Sequence, residues 1–403
     1  MRRVAVLALM VLAIGSLHAA EETPQQPAPP SEAPAARTAP ETNKPAAPSE
    51  VPSGQDGSDG EDRRGGSVAQ VDAESLDGLD SPPVGTIVHT TEPQTKRPVS
   101  FYVPTSYRKG RPMPLLAAFT APGVGRGNIT QFWRLGEDHG IIIVTPDTWA
   151  VRGSPEDRVK AERMLKAWSR EVGETKVPNY VRDVNEILAD LRADAEAVRQ
   201  SIAMLSTHYA VDPKLLVLTG CSGGAWIAYY TGLADPRRYA GICIRSGNFD
   251  RRLLPPNLRR ARDMPISIVI GDQDMPVVLT ETDKAEEHFK SLKFTQLNVE
   301  RLPNSGHDRR PEVAMNFVAL LRGEVMSERK EAWQKSLKAG LAAVEQKQTN
   351  TARYELGRAA ELERQFGFPD EATRALAALD AGDQADGKQP SAGDGQTEKP
   401  ATD

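Results

Sequence analysis

Leu215-Leu216-Val217-Leu218-Thr219-Gly220-Cys221-Ser222-Gly223-Gly224-Ala225-Trp226-Ile227-Ala228-Tyr229-Tyr230 is the stretch whose reading decides this chain. It begins as an apolar, β-prone run and ends as an apolar helix candidate. Between the two lies the pattern G-x-S-x-G, centred on Ser222. Strand, glycine-flanked serine and helix together are the context of a nucleophile elbow. Such a turn needs backbone angles that a β-carbon on its neighbours obstructs, so glycine on either side has a physical reason. The turn lifts the hydroxyl above the sheet and aims the first amides of the next helix at whatever the serine attacks. The pattern alone arises by chance in many unrelated chains. An acid and a histidine following in the right order and setting make it specific.

Working outward, short apolar runs alternate with helical patterns. Strands are expected at about 85–89, 99–103, 115–119, 141–144, 215–219, 241–245, 266–270 and 295–302. The first two read as an antiparallel pair at the sheet's edge. Helices are expected at 128–139, capped by Asn128 with Phe132, Trp133 and Leu135 on one side, and at 194–209, 225–230, 282–292 and 311–321. This alternation predicts an α/β fold: a mostly parallel, doubly wound sheet of eight strands covered on both faces. Ligands in such sheets bind beyond the carboxyl ends of the strands, which singles out the loops after Phe119, Thr219 and Ile270.

Two segments decorate the pattern. Residues 150–191 form an insertion, helical in two pieces at about 155–172 and 181–191, leaving the active face of the sheet after the strand 141–144. It reads as a lid or substrate wall, or as a surface helical decoration. Residues 326–379 read as a small helical extension, with Trp333, Leu337, Leu341 and Val344 on one stripe and Tyr354, Ala359, Leu362 and Phe366 on a second. Alone, so small a unit is marginal. Docking on the body is the expectation, with protein contact through these helices as the alternative.

The rest of the 403 residues is different material. Met1-Arg2-Arg3 and the apolar core from Val4 to Ile14 read as a signal peptide ending near Ala20, hence an exported protein, periplasmic or extracellular. No later stretch is long and apolar enough to span a bilayer. Residues 21–83 are rich in Pro, Ala and acidic residues and read as a disordered linker; residues 380–403 read as a disordered acidic tail. Of the overall charge of −5, residues 21–83 carry −9, residues 380–403 −4 and the leader +2, leaving +6 on residues 84–379. The acidic balance therefore belongs to the tails. The body has no Lys/Arg stripe with interleaved aromatics, which argues against a nucleic-acid partner. Cys221 and Cys243 lack metal-ligand spacing and read as buried apolar residues, with a disulfide between them as the alternative.

The chemistry then needs an acid and a base. The strand 266–270 runs into Gly271-Asp272-Gln273-Asp274, an acid just beyond a buried strand. Asp274 is the better candidate and Asp272 the alternative; both residues also suit a turn cap. The strand 295–302 is followed by Pro303-Asn304-Ser305-Gly306-His307. Of six histidines, His307 alone sits in a loop after the last strand. The order Ser222, Asp274, His307 is that of a nucleophile, acid and base on this type of sheet.

With these residues in place, residues 85–322 resemble the α/β-hydrolase family. They are most similar to secreted esterases of the polyhydroxybutyrate-depolymerase and feruloyl-esterase type, which carry a similar Val-Asp-Pro before the elbow strand, here Val211-Asp212-Pro213. The resemblance implies a Ser222 nucleophile, an Asp274 acid and a His307 base acting on a small-molecule or polymer-linked ester, with no metal or organic cofactor. The Gly223 amide is one oxyanion donor by position. The family's second donor follows a His-Gly pair; here Thr120-Ala121 occupy those positions and Pro122, which has no N–H, comes next, so the second donor has to come from elsewhere, with Ala121 and Gly123 as candidates if the loop shifts. A missing donor costs about 3 kcal/mol of transition-state stabilisation. Asp147 and Trp149 can line a pocket, or serve packing and capping. Arg245 can meet a substrate carboxylate, or pair within the body. Two other readings compete: a serine peptidase of the same fold, and a weak or inactive hydrolase scaffold that binds a partner.

Overall fold

The computed structural model describes residues 68–73, 76, 83–120, 125–151, 153 and 183–386, all within one compact unit, Val68–Asp403. The leader, most of the linker, the loop at Ala121 to Val124, the insertion piece at 155–172 and the tail beyond Asp386 lie outside the described residues.

Nine strands form a single sheet among the described residues: β1 Ala69–Asp72, β2 Thr86–Thr91, β3 Pro98–Tyr102, β4 Met113–Thr120, β5 Ile142–Pro146, β6 Val211–Ser222, β7 Gly241–Gly247, β8 Ile266–Gly271 and β9 Leu297–Leu302. Their spatial order is β1-β2-β3-β5-β4-β6-β7-β8-β9. Only β3 runs against its neighbours β2 and β5, and every other pairing is parallel. The count corrects the expected eight. The extra strand, β1, falls in the segment read as linker. All of its side chains are exposed, so no apolar alternation marks it. Main-chain pairing with β2 holds it, helped by a Gln70 Oε1 to His89 Nε2 contact of 3.2 Å.

The helices are α1 Gly125–His139, α2 Val184–His208, α3 Gly224–Ala234, α4 Pro276–Ser291, α5 Pro311–Glu345, α6 Thr349–Phe366 and α7 Glu371–Asp386. Alternate residues along each central strand face opposite sides. Leu115, Leu218, Ile242 and Ile268 pack against Val198 and Ile202 of α2, Ile227 and Ala228 of α3, and Phe289 of α4. Leu116, Val217 and Cys243 pack against Ile129 and Phe132 of α1 and Met315, Phe317 and Val318 of α5. Each large aliphatic side chain buried in this way contributes roughly 1.5–3 kcal/mol. Both cysteines are buried and free, so the disulfide alternative does not hold.

Three helical expectations are corrected. Asn128 is not a cap, because α1 starts at Gly125; its buried Oδ1 accepts a hydrogen bond from Thr120 Oγ1. The pieces expected at 181–191 and 194–209 are one helix, α2, whose Asp183 side chain accepts from the Asn185 amide at 2.7 Å. Asp194, a residue type that suits helix starts, instead turns inward in mid-helix. It receives Arg97 Nη1 and the amides of Trp149 and Ala150, all at 2.9 Å. The helix expected to stop at Leu321 runs on to Glu345, so the boundary placed after residue 325 lies inside α5. Gly323 meets nothing that a Cβ would touch and imposes no turn. Its lone departure from helix propensity, about 1 kcal/mol, is outweighed by packing on either side.

The second half of α5 packs on α6 and α7 through a separate core of Trp333, Leu337, Leu356, Ala359 and Ala372. Glu363 organises it. Its carboxylate accepts the Trp333 indole N–H at 3.1 Å and the amides of Ala372 and Thr373 at 2.7 and 2.9 Å, which caps the start of α7. Burial pushes the Glu363 carboxyl up, but the hydrogen bonds from Thr373, Ala372 and Trp333 outweigh it and hold the carboxyl below its usual value. α5 is tied to the sheet at Arg329, which forks onto both oxygens of Asp212 at 2.6 Å and lies 3.9 Å over the Phe366 ring.

Candidate active site

The carboxyl ends of β6, β7, β8 and β9 share one edge of the sheet because these four strands are parallel neighbours. Ser222 is the last residue of β6 and has φ 53°, in the left-handed region that costs a non-glycine residue about 1–3 kcal/mol. The surroundings impose this angle. A Cβ at Gly220 would lie 2.6 Å from Cα of Ala225, and one at Gly224 would lie 2.5 Å from the carbonyl oxygen of Phe119. The elbow is thus pressed against both α3 and the end of β4. The Ser222 carbonyl accepts the Asn248 amide at 3.1 Å, which anchors the turn to the end of β7. Gly223 directly precedes α3, where the first amides of a helix lack intrahelical partners.

Asp274 and His307 come together. His307 Nδ1 lies 2.7 Å from Asp274 Oδ1, a length typical of a charge-assisted hydrogen bond. A carboxylate only accepts, so Nδ1 carries the proton and Nε2 is left as the basic nitrogen. The Asp274 side chain is fully buried, while that of His307 is 30% exposed and so open to a substrate. Oδ1 of Asp274 also accepts the Met275 amide at 2.6 Å, which fixes the carboxylate.

Asp272, the alternative acid, has another task. Its Oδ1 accepts the Ser305 amide at 3.3 Å, and its own amide donates to the Leu302 carbonyl at 2.9 Å. It fastens the loop that carries His307. Gly271 does the same by close approach: a Cβ there would lie 2.0 Å from the Ser305 carbonyl oxygen. These supporting roles escape a sequence reading, because they depend on the β8 and β9 loops meeting in space.

The remaining sequence candidates are structural. Trp149 lies under the Arg97 guanidinium, 3.1 Å from ring centroid to Cζ, and its amide is held by Asp194. The Asp147 carbonyl accepts Arg97 Nη1 at 3.2 Å. Arg245 fits neither expectation. It is 1% exposed, which rules out contact with a substrate carboxylate, and no carboxylate lies within ion-pair distance among the described residues. Of the 120–123 loop only Thr120 is described; it is buried and bonded to Asn128. The described residues hold no group of His, Cys, Asp or Glu arranged for a metal, and no helix long and apolar enough to cross a membrane.

Residues 153–321 match the family model of phospholipases and carboxylesterases, a span that contains Ser222, Asp274 and His307. Over that span the chain is similar to carboxylesterase-type α/β-hydrolases, in keeping with its mostly parallel, helix-covered sheet. Solved structures similar to this hydrolase include an S-formylglutathione hydrolase from Staphylococcus aureus, 10% identical with a TM-score of 0.40, covering 58% of this chain and 94% of that one. An esterase, PE8, is 22% identical with a TM-score of 0.40, covering 55% of this chain and 96% of its own. A ferulic acid esterase from Anaeromyces mucronatus is 13% identical with a TM-score of 0.41, covering 60% and 91%. Comparison with curated proteins finds no match.

Proposed function

We propose that this hydrolase is an exported serine esterase that works through a Ser222–His307–Asp274 triad and an acyl-serine intermediate. The observation that carries the reading is the 2.7 Å contact between His307 Nδ1 and Asp274 Oδ1 at the sheet edge that also ends in the strained elbow serine. His307 Nε2 takes the proton from Ser222 Oγ as the oxygen attacks the ester carbonyl carbon. The carbonyl oxygen becomes an oxyanion, to which the Gly223 amide donates. The tetrahedral species collapses, the C–O bond to the alcohol breaks, and the imidazolium returns its proton to the leaving oxygen. Water then repeats the sequence on the acyl-Ser222 ester, releasing the acid and the free serine. Asp274 holds the tautomer and stabilises the imidazolium at each stage. Export rests on the basic start and apolar core of residues 1–20. A mature protein from the producing cell whose amino terminus is not near Glu21 would remove that part of the proposal.

The substrate is a carboxylic ester, free or attached to a polymer. The purified protein is expected to hydrolyse short p-nitrophenyl esters, and Asp274→Asn is expected to lower kcat by about 10⁴-fold with the fold intact, because the imidazole then takes the wrong tautomer. Peptide cleavage without ester hydrolysis, or full activity in Asp274→Asn, overturns the reading.

A further inference from the structure

Among the described residues, Arg245 is the one fully buried charged side chain at the active edge that the mechanism does not use. Removing a guanidinium from water is costly unless its hydrogen bonds and charge are met inside. Here they are met only in part. Nε donates to Thr219 Oγ1 at 3.0 Å, Nη1 donates to the carbonyl oxygen of Arg309, and Nη2 is buried with no hydrogen-bond partner among the described residues. The Cζ atom lies 5.1 Å over the Phe132 ring. Among the described residues the Glu312 carboxylate acts on it only from a distance, from the exposed start of α5 and beyond ion-pair reach. A methionine or leucine would fill such a site at less cost, so the retained guanidinium calls for an explanation.

The two bonds that Arg245 does make have a common feature. Thr219 lies on β6 just before Gly220-Cys221-Ser222, and Arg309 follows His307-Asp308 in the loop after β9. Arg245 itself pairs with Cys221 across β6 and β7. Its fork therefore spans from the strand that ends in the serine to the loop that carries the histidine. No other described side-chain hydrogen bond links that strand to that loop. The Asp272 and Gly271 contacts hold the histidine loop to β8, and β8 is separated from β6 by β7.

We propose that Arg245 is a positioning residue: its buried guanidinium ties the Ser222 strand to the His307 loop and sets the distance over which the serine proton moves. The proposal rests on the Ser222–His307 mechanism above. In that mechanism a misplacement of about 1 Å at the reacting groups costs on the order of 10²-fold in rate. Burial pushes the Cys221 thiol up while the Arg245 charge pulls it down, so the guanidinium is close enough to be felt by the residue beside the nucleophile.

The test uses the full chain with p-nitrophenyl acetate and a small fluorophosphonate. R245M is expected to lower kcat and the rate of Ser222 labelling by roughly 10- to 100-fold, with KM within about twofold. R245K keeps the charge but loses the fork, and it is expected to fall with R245M. T219V removes one acceptor, and it is expected to lower kcat by a smaller factor. The R245M/T219V double variant is expected to be no slower than R245M, because both cut the same tie. The proposal is overturned if folded R245M keeps kcat within about twofold, if R245K restores wild-type rates, or if the two losses multiply. Should R245M fail to fold, T219V decides: a fall in kcat at constant KM supports the tie, and an unchanged kcat refutes it. Absence of labelling at Ser222 in the unaltered protein would instead sink the underlying mechanism, so the two failures are distinct.

Discussion

Ser222→Ala is expected to lower kcat on p-nitrophenyl esters by about 10⁶-fold and to abolish labelling by a fluorophosphonate, while the fold is retained. The size follows from how the proposed triad works. Its members act as a unit, so removing the nucleophile costs about as much as removing all three, and only oxyanion stabilisation and binding persist. Stability is expected to hold or rise slightly. The hydroxyl is partly exposed and an alanine still has to take the φ of 53° that the packing of Gly220 and Gly224 enforces. Thermal unfolding, active-site titration and steady-state rates on one preparation check the three parts together. If Ser222→Ala retains labelling and ester turnover, Ser222 is not the nucleophile and the elbow is only a packing feature.

Arg329→Ala is expected to destabilise the protein by about 3–5 kcal/mol and to leave kcat unchanged. Arg329 and Asp212 face each other with side chains 9% and 1% exposed and two contacts of 2.6 Å. Truncating the arginine leaves the Asp212 carboxylate buried and unpaired, which is the costly half of breaking such a pair. It also strips the cation from the Phe366 face, so α6 loses a second contact. Asp212 is the second residue of β6, and Ser222 closes the strand roughly 30 Å further along it, so the loss should not reach the chemistry. Replacing both partners, Asp212→Asn with Arg329→Met, is expected to recover most of the stability, because no charge is then stranded. Chemical denaturation followed by Trp333 fluorescence measures both, since Trp333 sits in the core that α5, α6 and α7 share. A single variant as stable as the parent would mean that the helices dock without this pair.

These two sites show how differently sequence and structure inform. The fold class and the proposed Ser222–Asp274–His307 set are both legible along the chain, because each residue lies at or just beyond the end of its own apolar strand and parallel strands end on one edge. Local pattern was also enough to favour Asp274 over Asp272, although both follow the same strand. What Asp272 does instead, holding the Ser305 amide, was not legible, since it depends on the loops after β8 and β9 meeting. The same holds for β1, whose exposed residues carry no pattern and which is held chiefly by main-chain pairing with β2. The continuity of α5 is likewise not legible, since packing on both sides of residues 322–325, not their local pattern, carries the helix through.

Arg245 marks the limit most clearly. Its place at the end of a strand was visible, and both sequence readings assumed that a guanidinium must meet a carboxylate. The structure surrounds it instead with a threonine hydroxyl, a carbonyl oxygen and an aromatic ring. Sequence by itself determined the alternation of the central strands and helices, the strand–turn–helix at Ser222 and the candidates for the reacting groups, because hydrophobic periodicity and glycine placement act over a few neighbouring residues. Tertiary structure alone decided what Asp272 holds, which loops are fastened together and where the last helices dock. Those outcomes depend on buried partners far apart in the chain, whose pairing is set by desolvation and close packing rather than by any local pattern.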